Sequence, residues 1–92
     1  MREKQVEEAL VRKIKDAGGV AVKINAPGLD GMPDRLILMP GGRAWFVETK
    51  APGKKLEALQ KFRKRELEEM GFKVSVLDTH SKVNTFVQEV VG

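Results

Sequence analysis

Apolar residues recur along the chain with two different periods, and each change of period marks a new element. Val6, Ala9, Leu10, Ile14 and Ala17 stand three and four apart, which predicts a helix over residues 2–17, ended by Gly18-Gly19. VAVKIN, 20–25, alternates and is rich in β-branched residues, so it predicts a strand. APGLDGMP, 26–33, holds two glycines and two prolines and predicts a loop. Further strands are expected over 34–39 and 43–51, joined through Pro40-Gly41-Gly42 by a two-residue hairpin at the glycine pair. A second helix is expected over about 55–70, with Leu56, Leu59, Leu67 and Met70 on one face and Gly71 as its C-cap. FKVSVLD, 72–78, alternates as a fourth strand, and 80–91 predict a last helix capped by Thr79 or Ser81.

The order α-β-β-β-α-β-α predicts an α/β fold. The first three strands can pair as an antiparallel meander. The fourth, reached through a helix, is expected parallel to strand three by a right-handed crossover. Strand three is then central, which explains why AWFV, 44–47, is apolar on both faces: helices are expected to cover the sheet.

That same strand runs into Glu48 and Lys50. Side chains two apart share a face, so these two are neighbours at the strand's end. A hairpin turning at 41–42 pairs residues whose numbers sum to about 83, setting Asp34 opposite residue 49. Two carboxylates and a lysine thus converge on one corner. Carboxylates so placed repel unless a divalent cation lies between them. Such an ion would acidify a bound water and polarise a phosphoryl oxygen, with Lys50 beside it to hold or help deprotonate the water, or to stabilise the phosphorane charge. The plainer alternative is an Asp34 that ends a turn and a surface Glu48–Lys50 ion pair.

Composition narrows the chemistry. With 92 residues the chain is expected to form one domain, 1–92, with a modest core that dimerisation would enlarge. Cysteine is absent and His80 is the only histidine, which excludes thiolate and multi-histidine metal sites. A metal must be held by oxygen, which favours Mg²⁺, Mn²⁺ or Ca²⁺. No apolar run reaches a membrane span and MREKQVEE is no signal peptide, so a cytoplasmic protein with no membrane partner is expected. The net charge of +4 is a mild bias toward polyanions.

The helices add two polar residues at apolar borders. On the first helix Glu3 and Glu7 fall within or beside the stripe, while Glu8 points away. On the second, Gln60 borders Leu56, Leu59 and Leu67, where a half-buried amide needs partners. Taken with REKQVEEAL, APGLDGMPDRLILMPGG, FVETKAPG and LEALQ, the chain resembles, nearly end to end, a stand-alone VRR-NUC domain of the PD-(D/E)XK nuclease superfamily, of phage or bacterial type.

The resemblance implies a restriction-endonuclease-like αβββαβ(α) core with a central mixed sheet flanked by helices. It implies Asp34 and Glu48 as metal ligands, Lys50 as catalytic lysine, Glu7 as the helix-one acid and Gln60 as a supporting glutamine. Thr49 stands where the family more often has an apolar residue, and its carbonyl is a further candidate ligand. Lys54, Lys55, Lys61 and Lys64 around the second helix, with Lys23 and Arg35 on strands, then become candidates for holding DNA phosphates. The expected activity is metal-dependent hydrolysis of DNA phosphodiesters without an organic cofactor. The resemblance further implies selectivity for branched DNA, as in Holliday-junction resolvases. A homodimer is expected from the short chain and from Val83, Phe86, Val87, Val90 and Val91 in the last helix, with strand four at or near a sheet edge. The alternatives are a catalytically inactive DNA-binding module of the same fold and an interaction protein whose acidic corner is an ion-pair cluster.

Overall fold

The computed structural model describes residues 1–92. Its elements are α1 (Glu3–Asp16), β1 (Val20–Lys23), β2 (Arg35–Met39), β3 (Arg43–Thr49), α2 (Ala58–Glu69), β4 (Val74–Leu77) and α3 (His80–Val91). The strands form one mixed sheet in the order β1-β2-β3-β4. The first three pair antiparallel and β4 lies parallel to β3, so β3 is interior and β4 holds an edge, as its sequence predicts. Thr79 caps α3, its hydroxyl accepting the Lys82 N–H at 3.1 Å. No helix is long and apolar enough to cross a membrane.

The hairpin departs from expectation by one residue. Met39 pairs with Arg43, so the connection is Pro40-Gly41-Gly42, three residues rather than two. A two-residue turn would put Pro40 in the closing pair, where its missing N–H could not bond. The Pro40 carbonyl instead accepts Arg43 Nε at 3.1 Å, and both glycines take the positive φ that this connection needs, +87° and +72°. Pairs now sum to 82, as Leu36 with Phe46 shows, and the same register continued past Arg35 brings Asp34 beside Glu48.

The two faces of the sheet are unequal. Val6, Leu10 and Ile14 of α1 and Val83, Phe86 and Val90 of α3 pack with Ala21, Ile37, Val47 and Leu77 in one core. Trp45 joins it edge-on to Phe86, ring centres 6.4 Å apart. The apolar residues of α3 therefore complete this core, and only Val91 among the five is exposed, which corrects their reading as a dimer surface.

The opposite face has α2 alone. The face of three leucines and a methionine expected for α2 does not form: Leu56 precedes the helix, Leu59 and Met70 are exposed, and Leu67 alone is buried. Parity in the ladder puts Val20, Val22 and Leu38 on this face too, and they stay 58%, 38% and 41% exposed. The expectation that helices cover both faces holds for only part of the sheet. Gly31 fits α2 to the loop before β2. A Cβ there would lie 2.8 Å from Leu59, and its φ is +84°, so glycine is required twice over.

Candidate active site

β3 delivers the acidic corner. Its last residues are Glu48, 5% exposed, and Thr49, fully buried, and Lys50 follows directly. A carboxylate buried to this degree must be bonded or shift its proton affinity, and Glu48 does both. Its Oε2 accepts Gln60 Nε2 at 3.0 Å and stands 3.9 Å from Lys50 Nζ. Burial pushes the Glu48 carboxyl up to about 7. The charge of Asp34 pushes the same way, Lys50 opposes it, and Glu3 adds a smaller upward push.

Asp34 comes from the turn just before β2. Its Oδ2 accepts two bonds from one residue, the Thr49 N–H and the Thr49 hydroxyl, each at 2.9 Å. Its Oδ1 enters no hydrogen bond. The predicted convergence of Asp34, Glu48 and Lys50 is thus present, although the register that produces it is one residue from the expected one.

Gln60 sits where α2 begins. Its amide oxygen accepts the Glu57 N–H at 2.9 Å, capping the helix, while its nitrogen donates to Glu48. A primary amide alone can accept at one end and donate at the other here, which explains a polar residue on the border of α2. Asp78, at the end of β4, holds the chain that follows Lys50: its Oδ2 accepts the Gly53 N–H at 3.0 Å and its Oδ1 faces Lys82 Nζ at 3.0 Å.

Glu7 is placed differently from the expected helix-one acid. Its Oε2 accepts Nε of Arg35 at 3.0 Å and lies 3.0 Å from Nη2, and Nη1 donates to the Ala21 carbonyl at 3.1 Å. Arg35, a candidate phosphate contact, thereby has its guanidinium engaged inside the fold, at 16% side-chain exposure. Strand parity explains the pairing, because Arg35 shares the α1-facing side of β2 with Ile37 and meets Glu7 at the edge of the core, between Val6 and Leu10. The α1 carboxylate whose charge reaches Glu48 is Glu3. Sequence reading placed both acids inward and had no means of knowing that Arg35 would take one of them.

Glu7→Gln should therefore cost stability, roughly 1–3 kcal/mol, because it weakens a half-buried charged bond. Glu3→Gln should leave stability almost unchanged and lower the Glu48 pKa. Urea unfolding and a carboxyl titration by NMR check the two halves.

The oxygens present suit a hard divalent cation. Asp34 Oδ1 is outside the protein's hydrogen-bond network, Glu48 carries one amide bond, and two carboxylates side by side leave a charge that a cation would neutralise. No cluster of three or more acidic, histidine or cysteine side chains gathers anywhere in the fold, so waters and substrate oxygens would complete the shell, as Mg²⁺ prefers. Of the candidate phosphate contacts, Lys23, Lys54, Lys55 and Lys61 are exposed, and Lys64 pairs with Glu68 at 3.0 Å.

No protein-family model matches the chain. "Putative nuclease p44" of Acyrthosiphon pisum secondary endosymbiont phage 1 is 42% identical over 79 residues, which make up 86% of this chain and 85% of that protein. A solved structure described as a VRR_NUC domain superposes with a TM-score of 0.87 at 26% identity, over 94% of each chain. The phage relative ties the sequence to a nuclease, the solved domain shares its α/β sheet nearly end to end, and the chain belongs to the VRR_NUC family of nucleases.

Proposed function

We propose that the chain is a divalent-metal-dependent endonuclease that hydrolyses DNA phosphodiester bonds. The observation that carries this reading is the corner itself: a buried Glu48 raised to about 7 beside Asp34, with Lys50 Nζ 3.9 Å away. An isolated ion pair would have no use for a second carboxylate that raises the first. Asp34, Glu48 and the Thr49 carbonyl would hold Mg²⁺ or Mn²⁺, which supplies charge neutralisation at the phosphoryl group and an acidified water.

The chain's own groups do the rest. Gln60 fixes Glu48 and ties α2 to the corner. Lys50, as an ammonium, orients the attacking water and stabilises the charge that builds on the phosphoryl group, while the water's proton passes to solvent as the new O–P bond forms. The in-line P–O bond opposite then breaks, and the leaving oxygen is protonated by solvent. Glu3 adds a smaller negative charge felt at Glu48, and Glu7 is held by Arg35. Lys23, Lys54, Lys55 and Lys61 hold phosphates on either side, and Lys64 can leave its exposed pair with Glu68 to join them.

The assembly in this reading is a homodimer acting on branched DNA such as a four-way junction. Its support is the half-covered sheet face, where Val20, Val22 and Leu38 lie exposed together on the side that carries α2. A two-fold pair would place two corners on one assembly for paired cuts. Cleavage with Mn²⁺ on duplex, flap, fork and four-way substrates, with sedimentation of wild type and Leu38→Glu, tests this. The expected result is a dimer that prefers the four-way substrate and a variant that is monomeric. Equal rates on linear duplex would remove the selectivity, and an unchanged sedimentation coefficient in the variant would remove this interface.

A further inference from the structure

We propose that the Thr49 side chain is a positioning group: its hydroxyl fixes Asp34 so that the free oxygen of that carboxylate faces the cation. The proposal rests on the metal-dependent reading above and adds a role that lies in the side chain, separate from the backbone carbonyl. Thr49 is fully buried at the end of β3. A buried hydroxyl needs a partner, and here it donates to Asp34 Oδ2 at 2.9 Å. The N–H of the same residue donates to the same oxygen at the same distance. Two charge-assisted bonds thus converge on one oxygen of the carboxylate and leave the other outside the network.

Asp34 needs such a clamp because of where it stands. It lies outside β2, in a bend, where its carbonyl accepts the Ile24 N–H at 2.8 Å, but a backbone bond leaves the carboxylate free to turn about χ1 and χ2. Thr49, in contrast, belongs to the interior strand of the sheet, paired with β4 through Leu77. The hydroxyl therefore passes the rigidity of β3 to a ligand that sits on a turn. The N–H bond alone would leave the carboxylate free to pivot about a single contact. Partners of metal-binding carboxylates commonly change affinity by about tenfold or more when removed.

Thr49→Val keeps shape and volume and deletes only the hydroxyl, whereas Thr49→Ser keeps the hydroxyl and loses a methyl. Calorimetric titration with Mn²⁺ should show about tenfold weaker binding in Thr49→Val and binding within about threefold of wild type in Thr49→Ser. A purely structural role predicts the reverse, since the serine variant leaves the larger packing defect. The Asp34 χ1 couplings in the metal-free protein are a second readout, expected to be averaged in Thr49→Val and preserved in Thr49→Ser. Wild-type affinity in the valine variant, or unchanged Asp34 couplings, would overturn the proposal. If wild type itself binds no Mn²⁺, the metal reading fails, and the couplings still decide whether Thr49 positions Asp34.

Discussion

Lys50→Ala should reduce cleavage by about a thousandfold or more while leaving divalent-ion binding within a few-fold of wild type. The expected rate loss corresponds to about 4 kcal/mol of barrier. Lys50 is 12% exposed in its side chain and 3.9 Å from Glu48 Oε2, too far for a tight bond. Its ammonium donates protons and accepts none, so it cannot ligate a cation. Removing it takes away the group that orients the nucleophile and stabilises the phosphoryl charge, and leaves both carboxylates in place. Because Lys50 also offsets the rise in the Glu48 pKa, its loss should raise that pKa further. Cation binding to the variant should then weaken at pH 7 and recover near pH 8.5. A pH series of Mn²⁺ titrations, beside single-turnover cleavage, separates this protonation effect from lost catalysis. Cleavage retained within tenfold at pH 8.5 would remove Lys50 from the chemistry.

Stability of the metal-free protein should fall as pH rises from about 5 to 8. The Glu48 carboxyl moves from 4.5 to about 7 on folding. The folded state then holds a proton that the unfolded chain releases, so stability contributed by this group is full below about 4.5 and lost as pH climbs through 7. The shift is worth on the order of 3 kcal/mol, or roughly 15 °C in melting temperature for a domain of this size. Glu48→Gln, which cannot ionise, should flatten the profile over this window. Asp78 acts with the opposite sign, since its bond to Lys82 holds its carboxyl below the usual range, but its stabilisation is lost only on acidification below pH 4. Mn²⁺ should restore at pH 8 what ionisation of Glu48 costs. Melting curves at pH 5, 6, 7 and 8, with and without Mn²⁺, test this directly. A wild-type profile parallel to that of Glu48→Gln would show that the corner is not strained by charge.

The elements were legible because each is written in its own period. Val6, Leu10 and Ile14 announce α1, the β-branched alternation announces β1 and β4, and the central place of β3 follows from the connections. Asp34, Glu48 and Lys50 could be brought together from strand parity and a hairpin. The hairpin's length could not be read as well, because Gly41-Gly42 suggests a two-residue turn and the constraint that decides against it sits in Pro40. α2 misled for a different reason. Leu56, Leu59, Leu67 and Met70 fall on one side of a wheel, but the helix begins only at Ala58 and is fixed by Gln60 on Glu48 and Arg63 on the Asp30 carbonyl. Polar contacts at both edges set its rotation, and the apolar ridge is left partly outside. Glu7 and Arg35 were assigned to the site separately because charge pairing across 28 residues has no local signature.

The most direct test of the central claim is calorimetric titration of Mn²⁺ into wild type, Asp34→Ala and Glu48→Ala, with cleavage of a four-way junction measured on the same samples. The account predicts Mn²⁺ binding in wild type, loss of at least tenfold in affinity in each variant, and cleavage that needs the ion and disappears in both. Cleavage by wild type in excess EDTA, or by either folded variant at the wild-type rate, would contradict it.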